Sequence, residues 1–388
     1  MSQIKIATVI IPTYNEAGNI HKAIDKLQRV FSNITSWKMQ ILVVDDNSPD
    51  KTFKIVQEKQ QEFENLHLLI NKNKGGLGAA YLRGMKHAFE ELRSDIIFEF
   101  DADLSHDPQK IPEFLDEIEK GFDMVVGTRY KKGGSIPSSW GLHRKFLSVV
   151  GNLFIRTILT NFSISDWTTG FRAITKKTYE LIAPEMVGER FSGYTFQIGF
   201  LYKAVQKKLK IGEVPFNFVD RTIGKSKLGP EYIINNIIFL TKTRLQEFFS
   251  SRVFKFLVVG SIAAGVQLVS LEIFRLFVTY LVANILSIET AIIFNFVINN
   301  IWTFSDRKLK KREIPFKFIQ FNLTSAGSII IQMIIAFLGM TFIGLVDLFV
   351  IPIINYQLDT GPVFSAIGII VGMFWNFFAY NFFIWKKK

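Results

Sequence analysis

Three short polar stretches each follow an apolar run: PTYNE at 12–16, DDNSPD at 45–50 and DAD at 101–103. Two carboxylates one residue apart, Asp101 and Asp103, can converge on one hard divalent cation, Mg2+ or Mn2+. Such an ion keeps coordination positions for diphosphate oxygens and stabilises a nucleoside diphosphate as it departs. Spacing alone also allows turn or capping carboxylates. What strengthens the catalytic reading is placement behind an apolar strand, with two other acidic strand ends upstream. Gly75, Gly76 and Gly78 form neither a dinucleotide nor a P-loop fingerprint and read as a tight turn, with Gly84 as ordinary helix packing. The five histidines, His21, His67, His87, His106 and His143, lack metal-ligand spacing; His106 follows DAD, where a turn or helix-start role is expected.

The elements that must hold these groups alternate as parallel α/β units do. Strands are predicted at 7–11, 40–44, 66–70 and 96–100, and helices at 17–31, 52–63 and 78–92. Their polar residues fall at the carboxyl ends of the strands, where open α/β sheets bind ligands.

At residue 253 the character of the chain changes. Before it, charged and apolar residues mix as in a globular domain; beyond it, long apolar runs are broken only by short connectors. Four segments, 254–276, 283–304, 316–345 and 362–385, reach the roughly 20 apolar residues that a membrane helix needs. A soluble bundle would show polar faces at helical spacing, and these have almost none. Arg252 and Lys255 precede the first span, a basic connector at 306–317 joins the second to the third, and Lys386–Lys388 end the fourth. The other two connectors carry no Lys or Arg, so both termini and the first domain are expected to be cytosolic. Gln267, Glu272, Asn295, Asn299 and Asn300 lie within the spans, where they could line a lipid path or, more commonly, hydrogen-bond helices together. Segments 140–160 and 229–252 mix apolar and basic residues and suit helices lying on a membrane surface or amphipathic helices packed on the domain core.

The chain of 388 residues has no cysteine, which excludes disulfides and thiolate metal sites. Its formal net charge of +12 favours phosphates, nucleotides and acidic headgroups, and nothing in it points to nucleic acid. The amino terminus has no signal-peptide pattern, which keeps the first domain in the cytoplasm.

The blocks VIIPTYNE, VVDDNSPD, KGGLGAAYLRGM, DADLSHDPQKIPEF, GTRYKKGG, GYTFQ and IGEVPFNFVDRTIGKSKLG together resemble family-2 glycosyltransferases of the polyprenyl-phosphate type, the dolichyl-phosphate mannose synthases above all. The likeness covers nearly the whole first part, and the four apolar segments resemble the small membrane domain fused to such enzymes. It implies a Rossmann-like GT-A α/β domain at 1–228, an interfacial helix at 229–252 and an all-α four-helix transmembrane domain at 253–388. It also implies inverting, metal-dependent transfer of mannose from GDP-mannose to dolichyl (polyprenyl) phosphate.

By the same resemblance Pro12, Tyr14, Glu16, Val44, Asp46 and Ala102 contact the nucleotide sugar, while Asp101 and Asp103 hold the metal and diphosphate. Arg129 faces a phosphate, Arg144 and Lys145 stand near the lipid phosphate, and Arg221, Ser226 and Lys227 close over donor and acceptor. The chemistry fits: a lipid phosphate, with a second pKa near 6, needs cationic clamping and in-line placement more than a general base. Two departures bear on the choice of sugar. No carboxylate stands two positions beyond Gln197, and Asp166 in DWTTGFR could touch the sugar or act as a structural cap. A glucose donor, UDP-glucose, and a flippase or anchor that only binds nucleotide stay open.

Overall fold

A computed structural model describes residues 4–186, 194–220, 230–344, 346–351 and 356–386. The chain forms two compact units, Met1–Arg244 and Leu245–Lys388.

The first unit is built on a sheet. Strand β1 (Lys5–Thr13) pairs in parallel with β2 (Trp37–Asp45) and with β4 (Ile96–Glu99), and β3 (Leu66–Ile70) extends the sheet beyond β2. On the other side β4 meets β6 (Arg172–Thr175), which runs antiparallel to it and to β5 (Met124–Thr128); β7 (Ile211–Pro215) lies parallel to β5. The order is β3-β2-β1-β4-β6-β5-β7. The four predicted strands are present: β3 has the expected bounds, β1 and β2 are longer, and β4 ends one residue earlier.

Both faces of this sheet are covered, so its strands read as near-continuous apolar runs. Successive side chains still alternate. Val9 and Ile11 enter one core and Ile10 the other, with Leu42 and Val44 beside it. Helices α1 (Ile20–Phe31), α2 (Thr52–Lys59), α3 (Leu77–Glu90) and α4 (Ile111–Glu119) connect the strands, followed by α5 (Leu142–Ile158), α6 (Lys176–Met186) and α7 (Tyr194–Gln206). Helix α3 lies flush on the sheet at Gly84, where an added Cβ would come within 2.8 Å of Ile10 and 2.9 Å of Val44. The reversal of β6 positions the site. Because Arg172 pairs with Glu99, the residues preceding β6 arrive beside the carboxyl end of β4.

Helix α8 (Pro230–Ser250) falls where a surface helix was expected, and the division between units lies within it. In the second unit α9 (Arg252–Arg275), α10 (Tyr280–Ile298), α11 (Ile314–Phe342) and α12 (Thr360–Ala379) occupy the four apolar segments. Among the described residues no single helix is long and apolar enough to cross a membrane. The pair Ile234–Ser250 and Arg252–Gln267, bent by 54°, meets that requirement together. Unforeseen is a hairpin of β8 (Asp347–Ile351) and β9 (Tyr356–Asp359) between α11 and α12. Its apolar residues continue the preceding run, so sequence alone did not separate them from a helix end.

Candidate active site

Asp101 follows β4 directly, and its carboxylate is the meeting point of several elements. The Tyr81 hydroxyl of α3 points to Asp101 Oδ1 at 3.4 Å. His106 is buried, stacked on Phe171 with centroids 5.1 Å apart and edged by Phe100 and Phe216. Its Nδ1 accepts from the Asp101 backbone N–H at 3.1 Å, and its Nε2 lies 3.6 Å from Asp101 Oδ2. Burial lowers the His106 pKa, against the opposing influence of Asp101 and Asp103, so the neutral ring prevails. With Nδ1 accepting, the proton sits on Nε2 and faces the carboxylate. The ring thus closes the turn after β4, as expected, and also stands against the Asp101 carboxylate. Asp103 Oδ1 caps its own turn by accepting from Ser105 N–H at 3.0 Å.

Gly170 leaves room beside this carboxylate: an added Cβ would stand 3.7 Å from Asp101 Oδ2 and 3.5 Å from His106. Two oxygen-donor side chains at a strand end suit a hard cation. Among the described residues no group of three His, Cys, Asp or Glu could hold a metal ion. A cation on Asp101 and Asp103 would therefore draw its other donors from diphosphate and water, the habit of Mg2+.

Arg129, just past β5, lies under firm control. Its Nε donates to Asp166 Oδ2 at 2.7 Å and its Nη2 to Asp166 Oδ1 at 2.9 Å, with Thr168 Oγ1 at 2.7 Å. Asn152 of α5 donates to the same carboxylate at 3.1 Å. Burial pushes the Asp166 pKa up, yet Arg129 and these hydrogen bonds hold it below the usual carboxylate range. Asp166 is thus the structural partner of Arg129; of its two expected roles, contact with the sugar is the one the geometry disfavours.

Beneath Asp101, Glu99 and Arg172 are both buried, 3.9 Å apart, and Arg172 Nη1 donates to the Gln197 carbonyl at 2.7 Å. Burial outweighs Arg172 and Gln197 and raises the Glu99 pKa to about 7.

The remaining expected donor contacts collect along the ends of β2, β1 and β4. Pro12 pairs in register with Val44, Asp46 follows β2, and Ala102 is buried between Asp101 and Asp103. The Asp46 carboxylate accepts from Asn71 and from the Gly75 and Gly76 N–H groups at 3.2 and 3.3 Å, which ties down the turn before α3. Lys74 of that turn lies 3.8 Å from the centre of the Tyr14 ring. Glu16 accepts from Asn19 Nδ2 at 2.9 Å at the start of α1.

Arg144 and Lys145 have protein partners. Arg144 pairs with Asp220 at 3.0 Å and lies over the Trp140 ring, whose Nε1 also donates to Asp220. Lys145 donates to the Ser138 carbonyl at 2.9 Å. Arg221, Ser226 and Lys227 lie outside the described residues. Sequence reasoning missed Tyr81, Asn71 and Asn152, and left Gly170 of DWTTGFR without a role; Asn152, a lone amide in its helix, carried a readable signal.

A mixed, mostly parallel Rossmann-like sheet with acidic residues past its strand ends is the frame of a GT-A glycosyltransferase. Residues 8–182 match the model for glycosyl transferase family 2, and residues 255–385 match the GtrA/DPMS transmembrane domain. A dolichol-phosphate mannosyltransferase of Pyrococcus furiosus is 30% identical over 343 residues, covering 87% of this chain and 91% of its own. A polyprenol monophosphomannose synthase of Mycolicibacterium smegmatis is 35% identical, covering 57% of this chain and 80% of its own. An undecaprenyl-phosphate mannosyltransferase of Micrococcus luteus is 32% identical, covering 60% and 91%. The chain belongs to glycosyl transferase family 2 and is a membrane-protein glycosyltransferase of its polyprenyl-phosphate branch.

Proposed function

We propose that this enzyme transfers mannose from GDP-mannose to dolichyl or another polyprenyl phosphate at the cytosolic membrane face, with inversion at the anomeric carbon. The observation that carries this reading is the fixed Arg129, which acts on the His106 ring together with Asp101 and Asp103, on a chain akin to three mannosyltransferases of prenyl phosphates. Mg2+ or Mn2+ held by Asp101 and Asp103 would stabilise the departing nucleoside diphosphate. The chain's own side chains do the rest. His106 and Tyr81 orient the Asp101 carboxylate, and Gly170 leaves a sugar room to approach it. The Asp166 pair holds the Arg129 guanidinium in one orientation, a fixed positive charge toward which a phosphate can be drawn. The acceptor is already anionic at neutral pH. A single in-line attack by its oxygen then inverts the anomeric centre without a general base.

The proposed layout is a catalytic domain at 1–228, an interfacial helix at 229–252 and a four-span domain at 253–388, with both termini cytosolic. Basic residues flank one end of the spans. Apolar side chains of α5, among them Leu142, Phe146 and Leu147, are exposed and suit a headgroup layer. Arg144, Lys145, Arg221, Ser226 and Lys227 would draw in the lipid phosphate.

Labelled GDP-mannose and UDP-glucose, supplied separately with polyprenyl phosphate and Mn2+, test the proposal. Mannose is expected in the lipid extract. Glucose there instead would replace the donor assignment, and no labelled lipid from either donor would sink the transfer reading.

A further inference from the structure

The helical unit carries a pattern that its sequence shows faintly and its contacts show plainly. Phe254-Lys255-Phe256 and Ala264-Gly265 in α9 recur as Phe316-Lys317-Phe318 and Ala326-Gly327 in α11, at one constant offset. Asn295-Phe296 and Asn300 at the end of α10 recur as Asn376-Phe377 and Asn381 at the end of α12, at a second constant offset. The second offset is larger because the β8–β9 hairpin lies within the second pair of helices.

The backbone repeats with the sequence. Helices α10 and α12 each pass into a five-residue π-turn, Asn299–Thr303 and Tyr380–Ile384. Each turn closes with the same bond: Phe304 N–H to the Asn299 carbonyl and Trp385 N–H to the Tyr380 carbonyl, both 2.8 Å. A π-turn is rare, so two at equivalent positions are not independent accidents.

Contacts between the two halves are reciprocal. Phe256 of α9 meets Phe377 of α12 at 5.6 Å and 67°; the equivalent pair, Phe318 of α11 and Phe296 of α10, meets at 5.3 Å and 69°. Asn300 accepts from Trp385 Nε1 at 3.0 Å, and its counterpart Asn381 accepts from Arg307 at 2.8 Å, so each asparagine serves the opposite half. Within each half, Lys255 lies over the Trp302 ring and Lys317 donates to the Phe383 carbonyl, again at matching positions. Phe304 and Trp385, equivalent to each other, stack face to face at 4.5 Å and 5°. A residue that touches its own counterpart marks a two-fold axis, and reciprocal contacts around it are the signature of an isologous interface.

We infer that the helical unit is two copies of one helix hairpin joined in a single chain about a pseudo-two-fold axis through the Phe304–Trp385 stack. The partner of each copy's aromatic face is the other copy. Membrane proteins with same-sense repeats place their axis along the membrane normal, which agrees with basic residues at the same end of both hairpins. Asn300 and Asn381 then serve to close this seam, one of the two roles open to polar residues within the spans. The inference stands apart from the transfer reaction.

The test exchanges the residues on the axis in the full-length protein. Phe304→Trp combined with Trp385→Phe preserves the stack and offers the new indole to Asn381. Thermal unfolding in detergent is expected to match the parent within about 2 °C for the exchange, while each single change lowers the midpoint by about 3–5 °C. An exchange costing as much as both singles together would overturn the pseudo-symmetry. A second readout does not depend on those variants folding well. Since the chain has no cysteine, the pairs Phe256→Cys/Phe377→Cys and Phe296→Cys/Phe318→Cys can be bridged in native membranes by a short bis-thiol reagent. Both pairs should link within one chain at similar rates, and linkage of only one contradicts the inference.

Discussion

The guanidinium of Arg129 and the carboxylate of Asp166 form a two-point ion pair, Nε to Oδ2 at 2.7 Å and Nη2 to Oδ1 at 2.9 Å, almost wholly out of water. Removing one member of a buried pair strands the other charge, which costs about 3–5 kcal/mol. Asp166→Asn is therefore expected to lower the denaturant midpoint of the first unit markedly. Arg129→Lys keeps the charge but loses the fork, and should cost activity out of proportion to its smaller effect on stability. Equal losses of activity and stability in Arg129→Lys would argue that the arginine is only structural.

His106 touches Asp101 through both ring nitrogens. Partners that orient metal-binding groups typically influence affinity by about 10–100-fold. Titration calorimetry of Mn2+ with GDP should show His106→Ala weakened within that range, with kcat reduced more than KM. His106→Asn, which keeps an acceptor near the Nδ1 position, should recover part of the loss. Asp101→Asn and Asp103→Asn should lower kcat by about 10²–10³. Unchanged Mn2+ affinity in His106→Ala would remove the ring's orienting role.

The buried Glu99 carries a pH signature. Its pKa in the folded protein is about 7, against an ordinary 4.5, because burial disfavours the carboxylate. The folded state therefore holds this proton more tightly than the unfolded chain does. Its stabilising contribution is complete below 4.5, fades as pH rises and is gone above about 7. Glu99→Gln, neutral throughout, should flatten that part of the melting-temperature profile. Retention of the full slope in the variant would assign it to another group.

Gly84 tests how tightly α3 sits on the sheet. A methyl group there would come within 2.8 Å of Ile10 and 2.9 Å of Val44. Overpacking of this kind costs about 1–3 kcal/mol, so Gly84→Ala should destabilise despite alanine's better helix propensity. A neutral or stabilising result would mean that the helix can lift away at little cost.

Three of the first four strands, β1, β2 and β4, were legible because burial on both faces makes each an apolar run ending in polar residues, while the edge strand β3 was read from its short apolar run alone. Gly84 shows the limit of such reading. Nothing in the local pattern distinguishes a helix glycine pressed against Ile10 from one facing water. The antiparallel β6, four residues long, has no periodicity to read, and its direction follows from pairing with Glu99 across the fold. The position of Asp101 and Asp103 just past β4 was readable, whereas the alignment of His106 depends on Phe171 and Phe216 as well as the neighbouring Phe100, and the first two come from distant parts of the chain. Arg144 was expected beside a lipid phosphate, and the partner it meets, Asp220, is remote in sequence, so the pairing shows only in the folded chain.

The path between β5 and β6 begins at Arg129 and returns at Asp166, so the ion pair fastens the two roots of one long excursion. Helix α5 rides on that excursion and is wired to its base by Asn152, whose amide reaches Asp166 Oδ1. A displacement of the helix at the outward Phe146 or Leu147 thus reaches the guanidinium through two links, Asn152 to Asp166 and Asp166 to Arg129. Whatever bears on that outer face becomes, by this linkage, a mechanical input to the orientation of Arg129.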